Sequence, residues 1–221
     1  MAERNQAMPY LEVMPYLEID GLVRRKLPRP GQDGTVAGGP ELIGGVEHRV
    51  IRIVDYDPAW PGRFQAERGR IEAAIGSRAR RIAHIGSTSV PGLAAKPIVD
   101  IQVSVPDLED EPHYVTPLEE AGYRLRVRDA EHRMVRTPDL TVHVHICPVG
   151  SPWERRHLLF RDWLRHDTAD RAAYQALKQE LAARDWPDMN AYADAKPPLI
   201  ADIMSRARTW AATAGWSLPA R

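Results

Sequence analysis

The stretch His84-Ile85-Gly86-Ser87-Thr88-Ser89-Val90-Pro91-Gly92-Leu93-Ala94-Ala95-Lys96-Pro97-Ile98-Val99-Asp100-Ile101-Gln102-Val103-Ser104-Val105 decides the fold. Arg81–Ile85 reads as one strand and Ile98–Val105, rich in Val and Ile, as a second, central one. Gly86 lets the backbone turn tightly between them, and three hydroxyls follow at once on Ser87, Thr88 and Ser89. A Gly/Ser turn after a strand is a good cradle for phosphate oxygens. The second strand sets Asp100 among Ile98, Val99, Ile101 and Val103. A carboxylate in so apolar a strand needs a cation, a hydrogen-bond network or a surface position. Plainer roles stay open: Ser87–Ser89 capping a turn, and Asp100 facing solvent at a strand end.

Outward from this segment the pattern is α+β. Toward the N-terminus, Arg49–Val54 alternates as a short strand. Pro58–Ile75 reads as a helix, with Pro61 in its first turn and Phe64, Ile71 and Ile75 on one face. Toward the C-terminus, Leu118–Ala121 closes a helix at Gly122. Tyr123–Val127, His132–Arg136 and Leu140–Cys147 read as three more strands. Beyond Pro152 the period turns helical. Trp153–Arg165 carries Phe160, Trp163 and Leu164; Asp170–Arg184 carries Tyr174, Leu177 and Leu181; Pro198–Ala214 carries Leu199, Ile203 and Ala207. A mixed sheet with helices on one face and a C-terminal helical cap is the expected architecture.

Residues 1–47 differ in kind. Met8-Pro9-Tyr10-Leu11-Glu12 recurs as Met14-Pro15-Tyr16-Leu17-Glu18, and a basic Pro-containing run and the Gly-rich stretch Gly31–Gly45 follow. Such Pro and Gly density does not sustain a helix or a strand, so a flexible arm is expected before a folded domain over 48–221. A mis-set start codon and a docking peptide are the other readings of that segment.

Composition narrows the function classes. Lys plus Arg equals Asp plus Glu at 30 each, so charge offers no strong nucleic-acid signal. No apolar run approaches the roughly 18–20 residues that cross a bilayer, and no basic segment leads an apolar one at the N-terminus. The single cysteine, Cys147, forbids an intrachain disulfide and fits a reducing compartment, so a cytoplasmic location is expected. Cys147 itself reads as an inert, half-buried thiol.

Three further features carry chemistry. In Thr141-Val142-His143-Val144-His145 the two histidines alternate with valine, so both point to one face of their strand. With Asp100 they would suit a transition-metal ion; hydrogen bonding to phosphate or backbone, and solvent exposure, are the alternatives. Lys96 is one of only four lysines among 30 basic residues and follows the hydroxyl turn, where a compact point charge would meet a phosphate or carboxylate. Arg155 and Arg161 lie on a basic helix and would receive an anion bidentately if they face the cleft; a solvated helix face is the plainer reading.

The run from His84 to Leu93, followed by Lys96-Pro97 and Asp100, resembles the GrpB-like branch of the polymerase-beta-like nucleotidyltransferases. The likeness extends to Asp55–Pro61, His143–His145, Trp153–Asp162 and the Tyr192–Lys196 neighbourhood, covering about residues 48–210. The resemblance implies that Gly86, Ser87, Thr88 and Ser89 bind the phosphates of a nucleotide; Arg155 and Arg161, read from their basic helix, are the further phosphate contacts expected. It implies that Asp100 holds divalent metal and serves catalysis; Lys96, read from its place after the turn, is expected to assist. The superfamily's second carboxylate falls at position 102, where this chain has Gln102. An amide oxygen can ligate a metal but neutralises none of its charge. The expected ligands are therefore Asp100, Gln102, His143 and His145, around magnesium or manganese, with zinc suited to the imidazoles. The expected function is transfer of a nucleotidyl group from an NTP to a small-molecule acceptor. The alternative is a non-catalytic nucleotide- or coenzyme A-related binding module, since GrpB-like domains occur fused to dephospho-CoA kinase.

Overall fold

In the computed structural model, residues 41–44, 51–184 and 197–219 are described. Among the described residues six strands and five α-helices follow in order: β1 Glu41–Leu42, α1 Trp60–Ile75, β2 Arg81–Ile85, β3 Val99–Val105, α2 Val115–Glu120, β4 Arg124–Arg128, β5 Arg133–Arg136, β6 Val142–Pro148, α3 Pro152–His166, α4 Thr168–Ala182 and α5 Pro197–Ala214. The strands form one mixed sheet in the order β1-β4-β5-β6-β3-β2. All neighbours are antiparallel except β3 and β6. The chain leaves β3, builds the antiparallel β4–β5–β6 meander, and returns so that β6 lies parallel beside β3. β3 thus has a neighbour on each side and is buried along its whole length. The expected α+β class holds.

The period of two in β3 and β6 sorts the two faces. Val99, Ile101, Val103 and Val105, with Val142, Val144 and Ile146, pack against Phe64, Ile71 and Ile75 of α1 and Val115 and Leu118 of α2. The opposite face carries Ile85 and Cys147 against Trp153 and Leu158 of α3. A third apolar cluster joins α3, α4 and α5 through Leu159, Trp163, Tyr174, Ile203, Met204 and Ala207. It also takes in Val90 and Leu93 from the loop after β2. The C-terminal helices therefore grip the segment that follows Gly86.

Three expectations change. Ile51–Ile53 form no strand; Val54 alone bridges to Ala95, with each backbone N–H 2.9 Å from the other's carbonyl. Alternation there reflects one docked residue rather than a ladder. On α4 the buried residues are Asp170, Tyr174, Lys178 and Leu181, whereas Leu177 is half-buried. The stripe follows Tyr174 by four residues to a lysine. Glu41–Leu42, within the stretch expected to be an arm, pairs with Val127 and Arg128 at the sheet edge. Residues 1–40 and 45–47 of that arm, with its Met-Pro-Tyr-Leu-Glu repeat, and residues 192–196 lie outside the described residues. Among the described residues no helix is long and apolar enough to cross a membrane.

Candidate metal and phosphate site

While the odd-numbered residues of β3 enter the core, Asp100, Gln102 and Ser104 project from the other face. On β6 the same alternation projects His143, His145 and Cys147. Parallel register sets Asp100 opposite His143 and Gln102 opposite His145. Asp100 Oδ1 lies 3.5 Å from His143 Nδ1 and 3.5 Å from His145 Nε2. One ligand atom from each of the three residues lies within 4.8 Å of the others.

These side chains are buried without being satisfied. Among the described residues, both Asp100 oxygens, both amide atoms of Gln102, both ring nitrogens of His145 and His143 Nε2 have no hydrogen-bond partner. Each such group costs about 1–3 kcal/mol, more when charged. A carboxylate and two imidazoles form a donor set suited to a first-row transition ion. Tetrahedral bonds of about 2.0–2.1 Å place ligand atoms roughly 3.4 Å apart, close to the two observed separations. Burial holds the His143 imidazole below its usual pKa despite Asp100, so it is kept in the neutral form that ligation requires. The residues fit a metal.

The phosphate-type turn adjoins this triad because Ile85 pairs with Asp100, so Gly86 begins one residue beyond. Gly86 has φ 71°, a left-handed conformation that a side chain would disfavour. Ser87, Thr88 and Ser89 form one buried 3-10 turn. All three hydroxyls have protein partners. Ser87 Oγ accepts from Lys178 Nζ at 2.8 Å, Thr88 Oγ1 lies 3.0 Å from His84 Nε2, and Ser89 Oγ donates to the Gly86 carbonyl at 2.6 Å. Arg161 Nη1 donates to the His84 carbonyl at 3.1 Å. Arg165 donates from Nε and Nη2 to the Ser89 carbonyl at 3.0 and 2.7 Å.

Of the residues singled out from the sequence, the structure therefore gathers Asp100, Gln102, His143 and His145 on one sheet face. It places Gly86, Ser87, Thr88 and Ser89 at the Asp100 end and brings Arg161 against the turn. Lys96 is buried in the loop leading to β3. Arg155 is exposed and sits with its guanidinium 5.1 Å from the Trp216 ring centre, so it is not brought to the turn.

Sequence reasoning missed four contributors. Lys178 is wholly buried, donates also to the Ala94 carbonyl at 2.6 Å, and lies 4.8 Å from the Tyr174 ring centre. The signal was a lysine at i+4 from Tyr174 on an apolar stripe. Arg165 needed only the i+4 spacing from Arg161. His132 and Trp153 stack beside the triad, with ring centres 5.9 and 5.7 Å from that of His145. His132 Nδ1 faces Asp129 Oδ2 at 2.6 Å. No local pattern announces either, because they meet only through the β5–β6 pairing and the docking of α3. Cys147 is fully buried and its thiol is pushed up to about 12 by burial, which makes it inert.

Buried imidazoles give this site a pH signature. Burial, reinforced by Arg165 and Arg161, lowers His84 from 6.5 to about 3, and burial also lowers His132, His143 and His157. The folded chain thus binds fewer protons than the unfolded chain below about pH 6.5. This stability is fully present above the unfolded value and falls as the pH drops from about 6.5 toward 3. Urea midpoints at about pH 7.5, 6.5 and 5.5 should decline across the last interval, before carboxylates titrate. A flat profile there would contradict neutral burial of these rings.

The family model described as "GrpB protein" matches residues 50–206. The chain is 50% identical over 167 residues to UPF0157 protein SCO7215 of Streptomyces coelicolor, covering 76% of this chain and 89% of that one. It is 35% identical over 195 residues to a dephospho-CoA kinase of Mycolicibacterium paratuberculosis, covering 75% of this chain but 48% of the kinase. The crystal structure of the conserved protein GrpB from Enterococcus faecalis superposes with a TM-score of 0.64 at 32% identity, covering 72% of this chain and 99% of that one. A model spanning most of the chain, a relative sharing half of the aligned residues and a solved GrpB structure of the same fold agree: this chain belongs to the GrpB family.

Proposed function

We propose that the chain is a metal-dependent nucleotidyltransferase-like enzyme that moves a nucleotidyl group from an NTP to a small-molecule acceptor. The observation that carries this reading is the buried, unpartnered Asp100 carboxylate between His143 and His145, one residue in register from the Gly86–Ser89 turn. Asp100, His143 and His145 would hold one divalent ion, and the amide of Gln102 lies alongside them. A divalent ion there supplies Lewis-acid stabilisation of charge developing on phosphoryl oxygens. Gly86 opens the backbone of the turn toward phosphate, while Lys178, Arg161 and Arg165 hold its shape and supply positive potential. Lys96 is the compact cation assigned to the phosphate or the acceptor. Two imidazoles favour manganese or zinc over magnesium as the ion.

A second reading has its own support. Gln102 removes one anionic ligand, and the three turn hydroxyls already have protein partners. Both facts suit a nucleotide-binding module without chemistry. The dephospho-CoA kinase relatives, of which the chain spans about half the length, point that module toward coenzyme A-related ligands.

Transfer of label from α-phosphate-labelled NTPs, with manganese, zinc and magnesium each tried, separates the two. The enzyme reading expects labelled product and pyrophosphate, with Gln102→Glu as active as wild type or more so. Tight nucleotide binding without pyrophosphate release in either protein would favour the binding module.

A further inference from the structure

Gln102 is wholly buried, yet neither atom of its amide has a hydrogen-bond partner among the described residues. A buried amide in that state is costly. Register fixes its lateral neighbours: Ala83 on β2, which has no polar side-chain atom, and His145 on β6. Residues directly opposite on neighbouring strands project from one face. Neighbouring strands lie about 4.8 Å apart, so the amide and the His145 ring are within reach of each other.

The two ring nitrogens of His145 have different surroundings. Nε2 lies 3.5 Å from Asp100 Oδ1, whereas Nδ1 is buried without a partner. A neutral imidazole carries one proton, so when Nε2 gives its lone pair to an ion the proton sits on Nδ1. That N–H then needs an acceptor. Trp153, stacked against His145, offers only a donor, and His132 turns its Nδ1 to Asp129 Oδ2 at 2.6 Å. Of the buried unpartnered atoms outside the triad, among the described residues, Gln102 Oε1 is the one that can only accept. His143 has the reverse arrangement, with Nδ1 3.5 Å from Asp100 Oδ1 and Nε2 unpartnered. The two imidazoles would therefore ligate as opposite tautomers.

We infer that Gln102 is a positioning residue rather than a metal ligand: its Oε1 accepts the His145 Nδ1–H when an ion is bound at Nε2, which fixes the tautomer and the orientation of the ring. The inference rests on the reading of Asp100, His143 and His145 as the metal site. A metal-ligating histidine characteristically donates its other ring N–H to a carboxylate, a carbonyl or water. An amide carbonyl fills that role without setting a second negative charge beside the buried Asp100 carboxylate.

The test uses the full chain with zinc as the ion, comparing wild type with Gln102→Leu, Gln102→Glu and Asp100→Asn. Zinc affinity is measured by chelator competition, and the histidine tautomers of the zinc-loaded chain by long-range proton–nitrogen spectra. Gln102→Leu should bind zinc about 10–100-fold more weakly than wild type, the usual effect of removing such a partner. Gln102→Glu keeps an acceptor and should bind at least as tightly as wild type. In zinc-loaded wild type His145 should be bound at Nε2 with a slowly exchanging proton on Nδ1, and His143 should show the opposite pattern. Without zinc, Gln102→Leu should melt no lower than wild type, because it leaves no unpartnered amide in the interior. The loss of zinc affinity is then not a loss of fold. Equal zinc affinity in wild type and Gln102→Leu, zinc bound at His145 Nδ1, or zinc-loaded crystals with a bond to Gln102 Oε1 would overturn the inference and leave the metal site standing. Equal zinc affinity in wild type and Asp100→Asn would overturn the metal site itself, and the inference with it. Should Gln102→Leu fail to fold, the His145 tautomer and the exchange of its Nδ1 proton in wild type decide.

Discussion

Replacing Asp100 by Asn should abolish divalent-metal binding and, with it, turnover, while the metal-free chain becomes as stable as wild type or more so. The combination is diagnostic. In the metal-free chain Asp100 is a buried carboxylate with two unpartnered oxygens, a state that costs free energy. Asn keeps the shape and removes the charge, so that cost diminishes. In the presence of metal the order reverses, because a ligand that binds only the folded state stabilises it by about 2.7 kcal/mol at a hundredfold excess over its Kd. Melting curves with and without manganese or zinc, on both proteins, measure this. Wild type should gain several degrees with metal and Asp100→Asn should gain none. Equal metal-induced shifts would show that the ion sits elsewhere; a steep loss of stability in the metal-free variant would show that Asp100 is a structural residue.

Glu154→Ala should cost about 3–5 kcal/mol, a fall in Tm of roughly 6–20 °C for a chain of this size. Glu154 is wholly buried and collects three donors from three parts of the fold. Its Oε1 accepts from Arg81 on β2 and from Ser104 Oγ on β3 at 2.5 Å; its Oε2 accepts from the Gly150 N–H at 2.5 Å. Arg81 in turn donates to the Pro219 carbonyl at 3.0 Å, tying the C-terminal tail to the sheet edge. Removing the carboxylate leaves the largely buried Arg81 guanidinium without its counter-ion, which is the costly way to break such a pair. The double change Arg81→Met with Glu154→Leu should recover most of the loss, since apolar replacement removes both charges together. Thermal unfolding of the three variants checks this. A loss below about 1 kcal/mol in Glu154→Ala would mean that water replaces the carboxylate freely.

The face of the sheet that carries the site was legible because β3 and β6 alternate apolar with polar residues. Asp100, Gln102, His143 and His145 fall on one side by parity alone. That Asp100 and His143 are direct neighbours was not legible. It depends on β6 lying parallel to β3 with zero stagger, which no local pattern encodes. Lys178 escaped notice because a buried lysine imitates a solvated one in sequence; only the packing of α4 on the Ala94–Ser87 region distinguishes them. Of the strand expected over Arg49–Val54, the described residues 51–54 make only a bridge, because alternation says that a segment is half-buried, not that a neighbour offers a free edge. Arg161 and Arg155 shared one basic helix, and the helical twist sent the first to the turn and the second to Trp216.

The central claim is that Asp100, His143 and His145 hold one divalent ion. Crystals of the full chain grown with manganese or zinc, measured at the absorption edge of the metal, test it most directly. The account predicts a single anomalous peak bonded to an Asp100 oxygen and to one ring nitrogen each of His143 and His145, absent in Asp100→Asn. A featureless map at the triad under saturating metal, or a peak bound only by other residues, would contradict it.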